Sequence, residues 1–298
     1  MIDVLPTNKI NILTQNFVDD YELIDSGNGQ KLERFGNNIT CRPDTNCVWK
    51  TKNTIKDWSS ADATFKSSGW AFAPNFKDSW ITSYKTLKNE GICKQEIKMQ
   101  LRATISKNIG IFPEQSANWL WMSKIIAAQK KQPTVLNLFA YTGGASLCAA
   151  AAGAQVCHVD ASKSVVNWAS QNQKLSGLDN AKIRWIVDDC GKFVSREIKR
   201  DIKYDGIILD PPAFGRDNTG KVFEFEKQIY HLLEMCKQAL SPKPLFFIFN
   251  GYSMGYSATV LKNLLSDFFP DKKIEFGELH LQEKSGTRTL PCSLYARF

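Results

Sequence analysis

The chain has 298 residues, 43% of them hydrophobic, with a formal net charge of +8. That length holds a catalytic domain of about 200 residues and a smaller companion. The composition is that of a folded globular protein. There is no apolar run of the roughly 18 residues that a membrane span needs, and the opening MIDVLPTNKINILTQ lacks the basic and apolar parts of a signal peptide. No membrane segment is therefore expected, and the protein reads as cytoplasmic. The eight cysteines are scattered without a C-x-x-C pair and read as reduced thiols. His158, His231 and His280 have no ligand spacing, so no metal is expected. The positive charge favours a polyanion such as RNA as partner. Basic residues are nonetheless spread along the chain, and Lys192, Arg196, Lys199 and Arg200 form the densest group.

In chain order, the first hundred residues read as short strands. YELIDSGNGQKLERFG (21–36) and NITCRPD (38–44) alternate around Gly/Asn turns. Trp49, Trp58, Trp70 and Trp80 follow. Tryptophans can stack on RNA bases, but their usual burial favours core anchors. EIKMQLRATIS (96–106) alternates as a half-buried strand does. The expectation is a β-rich domain over 1–106 packed on a catalytic domain over 107–298. Residues 113–130 form an amphipathic helix with proline in its first turn, leading into the main sheet.

VLNLFAYTGGAS (135–146) is a buried strand, a tight turn at Gly143 and Gly144, and a small-residue helix start. Glycines permit close backbone approach, and the first helical N–H groups are free donors. The turn matches neither the Gly-x-Gly-x-x-Gly dinucleotide fingerprint nor a phosphate-binding P-loop. It suits a nucleoside cofactor without a pyrophosphate, of which S-adenosylmethionine is the commonest. QVCHVD (155–160) is the next strand, ending in Asp160 about 17 residues beyond Gly143. An acid there accepts hydrogen bonds from ribose hydroxyls. IRWIVDDC (183–190) ends in Asp188 and Asp189, where a carboxylate can take an adenine amino group and the Cys190 N–H a ring nitrogen. Asp at a strand end is also a common helix cap; three in series favour the binding reading.

YDGIILD (204–210) runs into Pro211-Pro212-Ala213-Phe214. The two prolines fix φ and hold Asp210 at the carboxyl edge of the sheet, where open α/β sheets bind ligands. Asp210 there suits the edge of a flipped-out base and Phe214 its face. Helix 224–240, strand 244–250, helix 257–269 and two closing strands, 273–282 and 290–298, complete the chain.

Taken together, VLNLFAYTGG, VD, VDDC and ILDPPAF resemble the bacterial class I 23S ribosomal RNA methyltransferases, a group with cytosine-C5 and guanine-N7 enzymes. KNIGIFPEQ (107–115) is similar to that family's Lys-x-Gly-aromatic-x-x-x-Gln element. The resemblance covers roughly residues 95–298. It implies an α/β fold with a seven-stranded, doubly wound, mostly parallel sheet closed by an antiparallel hairpin strand. It also implies S-adenosylmethionine contacts from Phe112, Gln115, Phe139, Tyr141 and Gly143, with Asp160 on ribose, Asp189 on adenine and RNA as substrate.

The chemistry divides at one place. Cytosine C5 is not nucleophilic, so a cysteine thiolate must first add to C6. In the cytosine-C5 relatives that cysteine follows the fifth strand, where this chain reads FIFNGYS, with Asn250, Gly251, Tyr252 and Ser253. Cys190 and Cys292 are the thiols left to weigh, and packing is the safer role for both. Asn250 resembles an asparagine of guanine-N7 relatives. N-methylation, with Asp210 orienting the base and Phe214 and Asn250 assisting, is favoured over C5-methylation. A nicotinamide oxidoreductase, a non-catalytic RNA-binding protein and a methyltransferase of another substrate remain the alternatives.

Overall fold

The computed structural model describes residues 9–14, 20–216, 222–252, 255–284 and 286–298. Asn11–Thr14 is β1. Tyr21–Gly27 (β2) and Gln30–Phe35 (β3) form a hairpin whose turn residues, Asn28 and Gly29, both have positive φ (52° and 76°). That conformation matches the twist of the flanking strands. Asn38–Pro43 (β4), the short helix Ile55–Ser59 (α1), Ala63–Lys66 (β5) and Gly69–Phe72 (β6) follow, giving a five-stranded sheet in the order β2-β3-β4-β5-β6. Ser79–Tyr84 (β7) and Ile97–Arg102 (β8) pair antiparallel, with the short helix Thr86–Asn89 (α2) between them. β8 alternates buried and more exposed residues, as its sequence requires.

Trp80 is buried and the other three early tryptophans are half-buried. Their indole N–H groups are tied to protein acceptors: Trp49 to the Ser26 carbonyl, Trp58 to Asp25 and Trp70 to the Thr104 carbonyl. A 3-10 turn, Pro113–Gln115, then precedes the helix Ser116–Ala127 (α3), so the expected 113–130 helix begins a turn later.

The catalytic half alternates strand and helix: Thr134–Leu138 (β9), Gly144–Ala151 (α4), Gln155–Asp160 (β10), Lys163–Leu175 (α5), Ile183–Val187 (β11), Cys190–Lys199 (α6) and Gly206–Leu209 (β12). A hairpin of Phe214–Arg216 (β13) and Val222–Glu224 (β14) intervenes, which the sequence did not reveal. Phe225–Ala239 (α7), Phe246–Tyr252 (β15), Ala258–Phe268 (α8), Glu275–Gln282 (β16) and Thr289–Arg297 (β17) finish the chain.

The large sheet runs β1-β16-β17-β15-β12-β9-β10-β11, with β17 antiparallel to both neighbours and the remaining pairs parallel. The seven expected strands are present, and β1 adds an eighth at the edge beside β16. The central strands are buried on both faces, as parallel strands under helices must be. Val135, Val156, Ile208 and Ile248 face a core shared with α3 and α4, while Leu136, Val159, Ile207 and Phe249 face one shared with α6, α7 and α8.

The expected division at residue 106 is cut across in two ways. β1 belongs to the catalytic sheet, and Leu23, Phe35, Tyr84 and Met99 share the first of these cores with β9 and α4. The β-rich region has burial in common with the catalytic half, because its apolar faces pack onto α3 and α4 rather than onto a core of their own.

Candidate active site

The loop from β9 to α4 is conformationally costly. Phe139 and Tyr141 sit at φ 55° and 50°, and Gly143 at 91°. Side chains in the left-handed region persist only where their surroundings fix them, and such residues cluster at ligand sites. Several bonds fix this loop. The Phe139 N–H donates to Cys190 Sγ at 3.3 Å, and the Tyr141 N–H to Asp160 Oδ2 at 3.0 Å. Thr142 Oγ1 donates to the Gly110 carbonyl and Asn172 Nδ2 to the Thr142 carbonyl.

The two glycines are needed for a reason other than ligand approach. A Cβ on Gly143 would lie 3.1 Å from Ala169 Cβ, and one on Gly144 only 2.6 Å from Trp119 Cζ2. Both positions are closed by α5 and α3, on the protein side of the turn.

Each acidic residue stands just beyond a strand, at the carboxyl edge of the sheet. Asp160, at the end of β10, accepts from the Ser162 N–H at 2.9 Å as well as from Tyr141. Burial pushes its carboxyl up, and these two N–H groups oppose that shift. Asp189 caps α6 by accepting from the Lys192 N–H at 2.8 Å. Asp188, its neighbour, pairs with Arg196. Asp210 is half-buried after β12. Burial, with the nearby Glu114 carboxyl, pushes its pKa up to about 7, while a hydrogen bond from Asn250 opposes the rise.

A cavity of about 860 Å³ runs along this edge, within the range of small-molecule sites. Of the sequence-predicted residues, Phe112, Gln115, Phe139, Tyr141, Asp160, Asp189, Cys190 and Asp210 line it. Phe112 packs against Tyr141 at 5.7 Å and Tyr252 at 5.4 Å between ring centroids, which places three rings at one end. Asn250 is only 3% exposed and lines a smaller adjoining cavity that also touches Asp210.

Two predicted residues do not line the cavity. Gly143 is turned into α5, as described. Phe214 is 59% exposed on β13, while the next residue, Gly215, lines the cavity opposite Phe223 of β14. Successive side chains in a strand face opposite ways, so Phe223, stacked 5.0 Å from Phe139, is the hairpin's inward ring.

Three residues that the sequence reading passed over also belong here. Glu114 is 3% exposed, lines the cavity beside Asp210, and has its carboxyl pushed up by burial. Asn118 donates to both Gln115 and Asn250. Arg297, from the last strand, donates to Asn118. Only the dipeptide Glu114-Gln115, inside a segment already singled out, gave any local signal.

The thiols are poor nucleophiles. Cys190 is buried, its sulfur accepting the Phe139 N–H, and burial holds its pKa well above the ordinary thiol value. Cys292 is buried with its thiol on the Leu290 carbonyl, and burial again raises it. A raised pKa means little thiolate at neutral pH. Ser253 lies outside the described residues. His158 is buried neutral, its pKa down to about 3, with Nδ1 bonded to Ser146 Oγ. No helix among the described residues is long and apolar enough to cross a membrane.

An elongated cavity bounded by aromatic rings, with carboxylates at successive strand ends and helix N-termini between them, fits a nucleoside with a polar tail. The fold and this rim define a class I methyltransferase-like α/β enzyme. The sequence pattern of the S-adenosylmethionine-dependent methyltransferases matches residues 48–238, and the chain belongs to that family.

A SAM-dependent methyltransferase of Agrobacterium tumefaciens superposes with a TM-score of 0.89 at 35% identity, covering 99% of this chain and 97% of that one. SMU.776, a methyltransferase solved with SAH, shares the fold at TM-score 0.68 and 17% identity, over 95% of this chain and 76% of that one. The ribosomal RNA large subunit methyltransferase K/L of Shewanella frigidimarina is 37% identical over 118 residues, 39% of this chain and 16% of the relative. That of Pseudoalteromonas translucida is 34% identical over 168 residues, 51% of this chain and 23% of the relative. The chain thus spans less than a quarter of the length of these two curated relatives.

Proposed function

We propose that this cytoplasmic enzyme transfers the methyl group of S-adenosylmethionine to a nitrogen of a base in 23S ribosomal RNA. The observation carrying this reading is the pairing, at the rim beside β12, of a carboxyl poised near neutrality with the lack of an activated thiol. Asp210 has its pKa pushed up to about 7, and both candidate cysteines are buried and protonated. Nitrogen methylation needs a positioned acceptor; C5 methylation needs a thiolate. The ribosomal RNA relatives support the substrate class, as does the net charge of +8.

In this reading the Asp160 carboxylate, its remaining lone pairs facing the cavity, holds the ribose hydroxyls. Asp189 takes the adenine amino group and the Cys190 N–H a ring nitrogen. Phe112, Gln115, Phe139 and Tyr141 enclose the methionine end, and Gly143 shapes the turn beneath it. When bound, the cofactor supplies an electrophilic methyl on a sulfonium. Asp210 accepts a hydrogen bond from the base edge and takes the proton released as the nitrogen–carbon bond forms. Asn250 steadies Asp210. Phe214, on the outer face of the hairpin, meets RNA at the mouth of the cavity, where Lys192 and Lys227 also stand.

The decisive experiment is mass spectrometry of ribosomal RNA nucleosides from cells lacking the protein. A missing N-methylated base, restored by the purified enzyme in vitro, is the expected result. Loss of 5-methylcytidine instead, or an unchanged ribosomal RNA, refutes the assignment.

A further inference from the structure

A buried hydrogen-bond chain enters the rim from the last strand. Arg297 is 4% exposed. It donates from Nη2 to Glu275 Oε1 at 2.8 Å and from Nη1 to Asn118 Oδ1 at 2.8 Å. A guanidinium only donates, so the Asn118 oxygen must face Arg297 and its amino group must face away. That Nδ2 donates to Asn250 Oδ1 at 2.9 Å and to Gln115 Oε1 at 3.2 Å. With its oxygen taken, Asn250 turns its own amino group to Asp210, where it donates. Gln115, its oxygen likewise taken, points Nε2 at Ser293 Oγ, 3.4 Å away. A side-chain amide can otherwise turn over with little change in shape. Here a donor that cannot reverse stands at the head of the chain and decides each orientation after it.

We propose that Arg297 and Asn118 are positioning residues for methyl transfer: acting through Asn250, they keep an N–H on Asp210, so that Asp210 presents an acceptor to a donor on the substrate base, an amino group or ring N–H. This rests on the reading of Asp210 given above. Without the chain, Asn250 is free to turn its oxygen toward the carboxylate and repel it. Glu114, from the 3-10 turn, is the titratable group facing Asp210, and Lys31, Glu33 and Arg42 face Glu114 in turn. Glu114 raises Asp210, and Asn250 from β15 opposes it, so losing the correctly turned amide leaves burial and Glu114 unopposed.

The test is the pH dependence of single-turnover methyl transfer to ribosomal RNA at saturating cofactor. Asn118→Asp keeps the size and the partner for Arg297 but has no N–H to give Asn250. The acid limb of its profile should move up by about one pH unit, with roughly tenfold slower transfer on that limb, the worth of one hydrogen bond to a charged group. Arg297→Met should shift it the same way, and Arg297→Lys, which keeps charge and donors, less. Retained S-adenosylhomocysteine binding certifies that each variant is folded. In the wild-type protein, the Asn250 side-chain amide resonance should titrate with Asp210, a measurement that needs no variant to fold. Acid limbs that coincide with wild type, or an Asn250 amide indifferent to pH, overturn the proposal. Full turnover by Asp210→Asn would instead sink the underlying reading of Asp210.

Discussion

On the β9, β10 and β11 side of the rim, each carboxylate is held by backbone N–H groups nearby in the chain. Asp160 takes those of Ser162 and Tyr141, two and 19 residues away, and Asp189 takes that of Lys192, three residues on. On the β12 and β15 side, Asp210 and Asn250 are set by side chains from distant segments. Asn118 lies 132 residues from Asn250, and Arg297 lies 179 from Asn118. The first side is a property of local strand-to-helix turns and fits a cofactor that the whole family shares. The second is a property of the assembled sheet, and it is where members of one fold can differ in substrate. Binding and chemistry are therefore separable by mutation.

Asp210→Asn should separate them most sharply. We expect methyl transfer to fall by roughly 10²–10⁴-fold, the usual worth of a positioned acid or base, with S-adenosylhomocysteine affinity within about threefold of wild type by calorimetry. In the wild type, turnover should fall as pH drops through about 7, because Asp210 accepts only when ionised. The same substitution should stabilise the fold. The folded carboxyl binds its proton up to about pH 7, against a model value of 3.8, so folded-state stability declines as pH rises between those values. An asparagine removes that penalty, and the variant should gain about 1–3 kcal/mol at pH 8 but not at pH 4 in denaturant melts. No gain at pH 8 would contradict the burial of this carboxyl.

Asp160→Ala is the complementary change. It should weaken cofactor binding by about 1–3 kcal/mol, tenfold or more, and leave the rate at saturating cofactor much closer to wild type. A collapse in rate without a loss of affinity would erase the distinction between the two sides. Gly144→Ala acts on the scaffold that both sides share. Its Cβ would meet the Trp119 ring at 2.6 Å, and thermal unfolding should register a loss of about 1–3 kcal/mol. The smallest effect belongs to Cys292→Ser, whose thiol is buried on the Leu290 carbonyl. Transfer within about threefold of wild type is expected where no thiolate participates; a loss of 10²-fold or more would reinstate C5 chemistry.

Strand 155–160 and the glycine turn were legible because residues adjacent in sequence create them: β-branched runs, a glycine pair, an acid at a strand end. Asp210 was legible because two prolines follow it. The reason for Gly144 was misread, since the Trp119 ring that demands it approaches from α3. Phe214 was chosen over Phe223 because the hairpin that turns one outward and the other inward is a pairing, and no motif announces it. Asn118 and Arg297 carry no local signal: an asparagine in a helix and an arginine in a final strand are ordinary until the strand lies beside the helix.

The sequence alone determined the order of strands and helices, the nucleoside-type turn and the acids that close each strand, because hydrophobic period and turn chemistry act over a few residues. Tertiary structure alone decided which ring enters the cavity, which carboxyl rises toward neutrality and which way each buried amide points. Burial, electric field and donor direction are set by neighbours that meet only when the sheet closes.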